Sequence, residues 1–484
     1  MIACVTTKSR ASSTSREVVQ LGQILPLGLI VCVVGLLAWI SSLNLGRLVH
    51  NKASLIRATD AAVYSAAVAQ ARALNLHAYL NRTQLAHQIA MAHLITLASA
   101  ERYRATLAQR VNRFNPPATL IGLFFGPQYA TAYLAARAGG IHDHVALNQL
   151  SGAFKRHDDV IHQVIDQARR TQLQQLADHR QSVIEEVLIK NVGASGSTLV
   201  GTTLTELGLS PQIIFDELPG FISHFSTSDR GWSALLKRVA TKYSYLSDRN
   251  HLVRNPWVVN LRCPFKRHEL RRKGSTRLNY KGEWSVQDNQ SFHALRYNRI
   301  MGCYQREYPM GWASVSSRPQ LQKKSQEQHQ TESTVPQNFS EQPFWRWVGD
   351  QADKTWNIFS GRDNRLAMYW AKQSEIRWST QGLPGYTTLT PKRAQSIRIG
   401  LAVKQQGSFI HAGNEVEKQR IGRRFKTTKA EYIQTLHGRA MAETYFEMPE
   451  QGGSSAGATA NLFQPFWRAR LVEFSRLPRN DRAQ

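Results

Sequence analysis

Residues 24–40 read ILPLGLIVCVVGLLAWI, and no charged residue occurs around them from position 18 to position 46. A helix of roughly 20 apolar residues crosses the hydrocarbon core of a bilayer, and residues 21–45 provide such a helix. We therefore predict a single-pass membrane protein with an N-terminal transmembrane helix. The predicted membrane anchor includes the side chains of Pro26, Leu27, Val31, Leu36 and Trp39.

Two other kinds of segment share this pattern, namely a cleaved secretory signal and the core helix of a soluble protein. A signal peptide usually has a shorter apolar region and a small-x-small cleavage site. The residues after Ile40 read SSLNLGRLVHNK and contain no clear Ala-x-Ala site. A retained anchor is therefore the favoured interpretation.

Basic residues stand on both sides of the predicted span, at positions 8, 10 and 16 before it and at positions 47, 52 and 57 after it. The positive-inside count is therefore balanced. Because a long domain translocates largely regardless of its charge, we expect residues 1–20 to stay in the cytoplasm and the bulk of the chain to lie across the membrane.

The chain after the span has the composition of a long helix. Residues 47–112 contain no proline and are rich in Ala, Leu, Gln and Arg, which favour helix, and Asn115-Pro116-Pro117 ends the pattern. Small side chains at helical spacing would let a partner helix approach closely, although packing within the same domain is the simpler use. This helix-packing stripe comprises Ala58, Ala61, Ala62, Ser65 and Ala69.

Residues 118–136 are again uncharged, but Gly126-Pro127 divides them into two pieces that are too short to span a bilayer. We expect a buried hairpin or an interfacial element there. Helical periodicity resumes over residues 143–190. The residues on its apolar faces are Val160, Val164, Ala168, Leu173, Leu176 and Ala177. Residues 46–192 are therefore predicted as a helical stalk and helical domain, which makes the first half of the chain mostly helical.

A Gly-, Ser- and Thr-rich stretch at residues 193–212 marks a change in amino-acid composition. Residues 193–315 are predicted as a basic mixed α/β region of short strands with helices between them. Residues 316–342 are polar and bury too little apolar surface to order themselves, so we expect a disordered loop or linker. Residues 343–484 are predicted as a C-terminal α+β region, in which residues 396–404 alternate as a strand with one buried face does.

The formal net charge of +27 favours acidic partners such as anionic lipid, envelope polymers or nucleic acid. Lys and Arg greatly outnumber acidic residues between Lys237 and Lys323, although a solvated loop face explains such a cluster equally well. The sequence contains no nucleic-acid motif with stacking aromatics at fixed spacing, so nucleic acid is not the expected partner.

The four cysteines fall into two pairs. Cys4 precedes the predicted span and Cys32 lies within it. Cys263 and Cys303 would face an oxidising compartment, and they form a candidate disulfide that closes a loop of about 40 residues. Two free buried thiols are the alternative.

Sequence motifs for catalysis are absent. His268-Glu269 begins like a zincin motif, but Arg272 stands where the second histidine ligand belongs. Histidines and aspartates at positions 142–144, 157–159 and 162 could be assembled into a metal site on paper, and an incidental grouping is the simpler interpretation. We predict no catalytic, cofactor-binding or metal-binding residues, and therefore a non-enzymatic protein.

Three short segments carry a resemblance to a known family. Gly22-Gln23-x-Leu25-Pro26 leads the span, Asn44-Leu45-Gly46-Arg47 ends it, and Ala58-Thr59-Asp60-Ala61-Ala62 follows. In this order and spacing they resemble the N-terminal TadE/TadG-like segment of TadG-like proteins, which belong to the Flp (tight adherence, Tad) pilus assembly system. Asn44 stands where that family usually has Asp. Residues 309–312 and 461–471 are also similar to the large periplasmic portions of these proteins.

The resemblance implies a membrane-anchored accessory protein of Flp pilus assembly or a related secretion system. It would lie in the bacterial inner membrane with most of the chain in the periplasm, where other pilus-assembly or pseudopilin subunits would be its partners. Leu27 occupies the fifth position after Gly22, where pilins carry Glu, so the register of a processed pilin is not carried over. A membrane-tethered module that binds polyanions or nucleic acid is the alternative function.

Overall fold

The computed structural model describes residues 24–137, 143–192, 203–225, 230–279, 282–300, 302–319, 363–390, 396–407, 434–448 and 459–474. Its dominant element is the helix α1 (Ile24–Asn112), which is 89 residues long. The predicted span from residue 24 onward and the predicted rod are both parts of this one helix, and residues 21–23 lie outside the described residues. The helix ends just before Asn115, because a residue that precedes a proline is disfavoured in the helical region.

The helical half continues with α2 (Ala118–Phe125), α3 (Pro127–Ala135), α4 (Asp143–Asp159) and α5 (Asp166–Val192). Gly126, at a φ of 106°, separates α2 from α3, and buried side chains of both helices pack onto the end of α1. The expected hairpin is therefore present. A π-helical turn, Val160–Ile165, joins α4 to α5.

Helix α5 runs antiparallel to α1. Ile184 and Leu188 belong to the same buried cluster as Leu55, whereas Phe154 of α4 packs with Ile95 much further along α1. The rod that follows the span is therefore not a free stalk. It is the central helix of the folded body.

The described strands form three hydrogen-bonded groups, two of them sheets that pack on successive parts of α1. The first is an antiparallel sheet in the order β1-β9-β10-β11, with β1 (Leu209–Asp216), β9 (Ser396–Gly407), β10 (Gln434–Phe446) and β11 (Trp467–Val472). Along β9, Ile397, Ile399, Leu401 and Val403 are fully buried, which confirms the alternating strand.

The second sheet has the order β3-β4-β5-β6-β7, antiparallel except for the parallel pair of β6 and β7. Its strands are β3 (His251–Arg254), β4 (Glu269–Leu278), β5 (Trp284–Asn298), β6 (Gly302–Pro319) and β7 (Ile376–Thr380). Strands β2 (Ile222–Phe225) and β8 (Tyr386–Leu389) pair with each other. Helices α6 (Arg230–Ala240) and α7 (Arg365–Gln373) and a short turn of 3₁₀ helix, Ser244–Leu246, complete the described elements.

The expectation of short strands between residues 193 and 315 is wrong for β5 and β6, which are 15 and 18 residues long. Gly311 lies inside β6 instead of marking a turn. A Cβ atom there would come within 2.9 Å of Cε2 of Tyr103, so the glycine lets α1 approach the sheet closely.

The start of the expected linker is also wrong, because Ser316 and Ser317 are buried residues of β6. Strand pairing orders this polar end, since Ser317 accepts from and donates to the backbone of Trp284. The rest of the tract, from residue 320, lies outside the described residues.

The expected apolar face is confirmed at Leu176, which is buried, but is wrong at Val164, Ala168 and Ala177, which are exposed. Ile161 and Ile165 are buried in place of Val164. The π-helical turn changes the phase of the helix at this point. Beyond it the buried face carries charged side chains, including Arg169 and Arg180, which a search for apolar periodicity passes over.

Candidate functional site

The first part of α1 is an exposed apolar cylinder. Residues 25–45 carry large apolar side chains on every side of the helix, and none of the 18-residue window that could cross a membrane is buried. By length and composition, α1 is able to span a bilayer. The predicted anchor residues Pro26, Leu27, Val31, Leu36 and Trp39 all lie on this exposed part.

An exposed apolar surface of this extent is uncommon on a helix that faces water, since soluble monomers rarely expose more than a few hundred Å² of contiguous apolar area. The core helix of a soluble protein would have this window covered by its own fold. The exposed cylinder therefore favours contact with lipid.

The folded body begins directly where the apolar cylinder ends. Asn44 and Leu48 are half-buried, and Leu55 is fully within the core. The Lys52 ammonium donates a hydrogen bond to the backbone carbonyl of His437 in β10. Because α1 continues through this junction without a break, the body is attached to the anchor by a helix and not by a flexible linker.

Exposed cations surround this junction. Arg47 and Arg57 lie on α1, and Lys404 of β9 and Arg439 of β10 lie on the outer side of the first sheet. The Lys404 and His437 positions are cross-strand partners, so these cations come from the same end of the sheet as the Lys52 contact. Positive charge is therefore concentrated where the apolar cylinder meets the folded body.

The helix-packing stripe lies inside the protein. Ala58, Ala62 and Ala69 are buried, while Ala61 and Ser65 are half-buried. The stripe faces β10 and α5, and this leaves no room for a partner helix on its buried members. The proposed contact with partner helices is therefore corrected, and the simpler use within the same domain holds. The reason is that β10 and α5 of the same domain already pack against the small side chains of the stripe.

The candidate disulfide is present between Cys263 and Cys303, whose Cα atoms lie 5.9 Å apart. Cys263 belongs to the loop before β4, and Cys303 is near the start of β6. The bond therefore ties this loop to the turn between β5 and β6. Cys32 is a free and exposed thiol in the apolar cylinder.

The most chemically suggestive cluster is a cross-strand row on the second sheet. Glu269, His293 and Glu307 are direct partners across β4, β5 and β6. Glu307 accepts hydrogen bonds from the backbone N–H groups of Leu366 and Ala367 at the N-terminal end of α7, at 2.9 and 3.0 Å.

This row serves to hold α7 against the sheet. Nε2 of His293 lies 2.9 Å from Oδ1 of Asn364, the residue that precedes α7. Burial lowers the pKa of His293 to about 3, with the Arg271 charge as a further cause, so the imidazole is neutral. Burial also raises the pKa of Glu307, against the effect of its hydrogen bonds.

The row lacks the geometry of a nucleophile and its base. Ser291 donates its hydroxyl to Glu307 at 2.8 Å, and the imidazole of His293 is engaged with Asn364 instead. All of these side chains are buried beneath α7. The arrangement therefore caps a helix and satisfies buried polar groups, which is a structural role.

In the grouping of histidines and aspartates near residue 157, Nε2 of His162 lies 3.6 Å from Oδ1 of Asp158, and other members contact different parts of the chain. His157 contacts His87 of α1, with the two Nδ1 atoms 2.7 Å apart, and burial lowers the pKa of both. Asp158 instead accepts from the Thr380 hydroxyl and from the backbone N–H of Gln381. Among the described side chains, which exclude those of His142, Asp143 and His144, there is no group of three or more that could hold a metal.

Three features of the structure were not predicted from the sequence. These are the polar row beneath α7, the His87 partner of His157, and the exposed tip around the disulfide. Each joins residues from distant parts of the chain, and no local spacing signals them.

No protein-family model, curated protein or solved structure matches this chain.

Proposed function

We propose that this protein is a membrane-anchored, non-enzymatic accessory component of Flp (Tad) pilus assembly or of a related secretion apparatus. The observation that carries the proposal is α1 itself. One unbroken helix provides both an exposed apolar segment of spanning length and the central helix of the folded body. Such a helix holds the body at a set orientation above the membrane, as an assembly component requires.

The pilus assignment rests on the resemblance of the N-terminal segments and of residues 309–312 and 461–471. The later segments act as core anchors, because Met310, Trp312, Leu462 and Trp467 are buried. This agrees with their physical interpretation as large apolar side chains that fix the fold. The resemblance is the basis for assigning the protein to pilus assembly, and the apolar part of α1 is the basis for placing it at a membrane.

The proposed topology has the N-terminus in the cytoplasm and the body in the periplasm of a bacterial inner membrane. The Cys263–Cys303 bond supports it, since disulfides persist in oxidising compartments. A reporter enzyme that is active only in the periplasm, fused at the C-terminus, should be active under this topology. Activity of a C-terminal reporter that works only in the cytoplasm would overturn it.

Deletion of the gene, followed by electron microscopy of surface pili, tests the function. We expect loss of pili, restored by the full chain and not by a chain that lacks residues 21–45. Normal piliation after deletion would contradict the proposal. A variant with Val164 changed to Ser, an exposed position away from the anchor, is a matched control that should restore pili fully.

A second candidate is a membrane-tethered module that binds polyanions, favoured by the net charge of +27. Counterion release predicts that DNA binding by the detergent-solubilised chain weakens steeply with salt. Absence of binding at low salt would exclude this candidate.

A further inference from the structure

The tip of the second sheet is formed by two segments that the disulfide joins. One is the loop of residues 255–268 between β3 and β4, and the other is the turn between β5 and β6, which includes Ile300. Cys263 of the loop is bonded to Cys303 beside the turn. We call these residues the stapled tip.

The stapled tip is an ordered scaffold. At its base, the Asn255 backbone N–H donates to the His268 carbonyl, and the His268 backbone N–H donates to Oδ1 of Asn255 at 2.7 Å. Further up, the Lys266 ammonium donates to the Cys303 carbonyl at 2.8 Å, and the Gln305 amide donates to the Arg267 carbonyl. Both segments are therefore held in place apart from the disulfide.

This scaffold presents three large apolar side chains to solvent. Phe265 is 96% exposed, Leu261 is 91% exposed and Ile300 is 82% exposed. They lie within a few residues of the disulfide on either side, so they share one end of the sheet. An ordered loop that exposes such side chains leaves them available for burial elsewhere.

Cations flank the apolar side chains without acidic residues among them. Arg262, Lys266 and Arg299 are exposed, and no Asp or Glu occurs in residues 255–268 or between Asp288 and Glu307. Among the described residues, none of these three cations forms an ion pair. Arg262 lies over the Tyr297 ring, 4.9 Å from its centroid, and Lys266 donates to the Cys303 carbonyl, but neither contact neutralises the positive charge.

The stapled tip lies far from the anchor. Thr106 and Trp312 exchange side-chain and backbone hydrogen bonds, and β6 runs from there toward the anchor, with Val315 packed near Ile95. The start of β6 therefore extends past the C-terminal end of α1. At about 1.5 Å of rise per residue, α1 places this end on the order of 100 Å from the anchoring bilayer.

We propose that the stapled tip binds the surface of a second, anionic bilayer, with Leu261, Phe265 and Ile300 inserted at the boundary of headgroups and acyl chains. The cations would contact lipid phosphates, which lie at that level. A bilayer suits protruding side chains surrounded only by cations, because insertion needs no pockets of matching shape. This inference rests on the proposed anchoring of α1, because the second bilayer is defined relative to the first.

The test is a vesicle-tethering assay with the full chain reconstituted into neutral phosphatidylcholine vesicles. Protease accessibility selects preparations with the body outside. Labelled vesicles containing phosphatidylglycerol are then added, and their co-flotation with the proteoliposomes is measured. We expect capture of anionic vesicles, little capture of neutral ones, and weaker capture at high salt.

The triple variant Leu261→Ser, Phe265→Ser and Ile300→Ser should reduce capture by at least about tenfold, since all three inserted side chains are lost. Removal of the three charges by Arg262→Gln, Lys266→Gln and Arg299→Gln should also reduce the capture of anionic vesicles and should remove most of its salt dependence. Val164→Ser, at an exposed apolar position on the helical side, should leave capture unchanged.

Equal capture by the triple variant, or no capture by the natural chain at low salt, would overturn the proposal. Loss of pili in the triple variant without any vesicle capture by the natural chain would assign the stapled tip to a protein partner instead. Alkaline extraction of the reconstituted chain reports on the anchor alone. A chain that is extracted fails the proposed function, whereas a chain that stays in the membrane but captures no vesicles fails only this inference.

Discussion

Arg180 of α5 and Asp216 of β1 form a two-bonded ion pair, with Nη2 to Oδ2 at 2.7 Å and Nη1 to Oδ1 at 3.1 Å. The guanidinium also donates to Gln70 of α1 at 2.9 Å. One buried arginine therefore joins α5, the first sheet and α1. The fold depends on this charge, because Arg180 is almost completely removed from water.

Asp216→Asn should destabilise the protein by about 3 kcal/mol, because it leaves a buried guanidinium without its counter-charge. Thermal unfolding of the full chain in detergent, followed by circular dichroism, measures the change. Glu186→Gln breaks the exposed Lys190–Glu186 pair on the same helix and should leave the midpoint unchanged. Equal effects of the two substitutions would contradict the assignment.

Buried neutral histidines predict a loss of stability in acid. The pKa of His293 falls from 6.5 to about 3 on folding, mainly through burial, so the unfolded chain binds the proton more readily. Stability from this group is present above pH 6.5 and is lost as the pH falls toward 3, by about 1.4 kcal/mol per pH unit. His268, with a pKa lowered to about 4 mainly by burial, adds to the same trend.

His293→Gln is the variant that tests this pH dependence. The Gln amide can still donate toward Asn364 but does not titrate, so the slope of stability against pH between 6 and 4 should be shallower than in the natural chain. Stability at pH 8 should stay close to that of the natural chain if the variant is well folded. An unchanged acid slope would show that His293 does not carry the effect.

Loss of the disulfide should lower stability without affecting the anchor. In the chain-entropy model a closed loop of this size contributes roughly 3–4 kcal/mol, so Cys263→Ser with Cys303→Ser should lower the unfolding midpoint by several degrees. Cys32→Ser, at the exposed free thiol, is the matched control and should leave the midpoint in place. A reducing agent should lower the midpoint of the natural chain but not that of the double variant.

Gly438 allows β10 to approach α1, and its replacement should be costly. A Cβ atom there would lie 2.5 Å from Oγ1 of Thr59 and 3.4 Å from Leu55, so Gly438→Ala should destabilise by about 1–3 kcal/mol. Gly152→Ala, where the nearest atom is 3.8 Å away on a flexible arginine, should be neutral or stabilising in its helix. Chemical unfolding of both variants measures the difference, and equal stability of the two would contradict the prediction.

Charges in the exposed cylinder should release the chain from the membrane. Val31→Arg with Leu36→Arg places two guanidinium groups near the middle of the span, at about 2.5–3.5 kcal/mol each on the insertion scale. The chain should then appear in the soluble fraction after alkaline extraction. Val164→Arg, outside the span, should remain with the membrane, and retention of the double variant would argue against a spanning helix.

Local patterns in the sequence were sufficient for several elements. The uncharged stretch predicted the exposed cylinder, the absence of proline predicted the continuation of α1, and Pro116 and Pro117 marked its end. The alternation in β9 predicted which side chains are buried. These features depend on the chemistry of neighbouring residues along one element, which the sequence displays directly.

Local patterns failed where distant segments meet. Turn-forming residues suggested short strands, but Gly311 sits within a long strand because α1 packs against it. The Ala-rich stripe left open whether a partner helix or its own domain covers it, and in the structure β10 and α5 cover it. In both cases a small residue can pack equally well against a strand or a helix, so the spacing of small residues alone does not identify the packing partner.

The apolar segment, the long helix and the excess of positive charge therefore follow from the amino-acid sequence alone, because each is a property of consecutive residues. Three features are visible only in the folded chain: the rod is a core helix, Cys263 is bonded to Cys303, and Leu261, Phe265 and Ile300 share one exposed tip. These features depend on tertiary structure because the packing of the sheets against α1 determines which side chains are buried and which distant segments are in contact. Those pairings join residues that are tens to hundreds of positions apart.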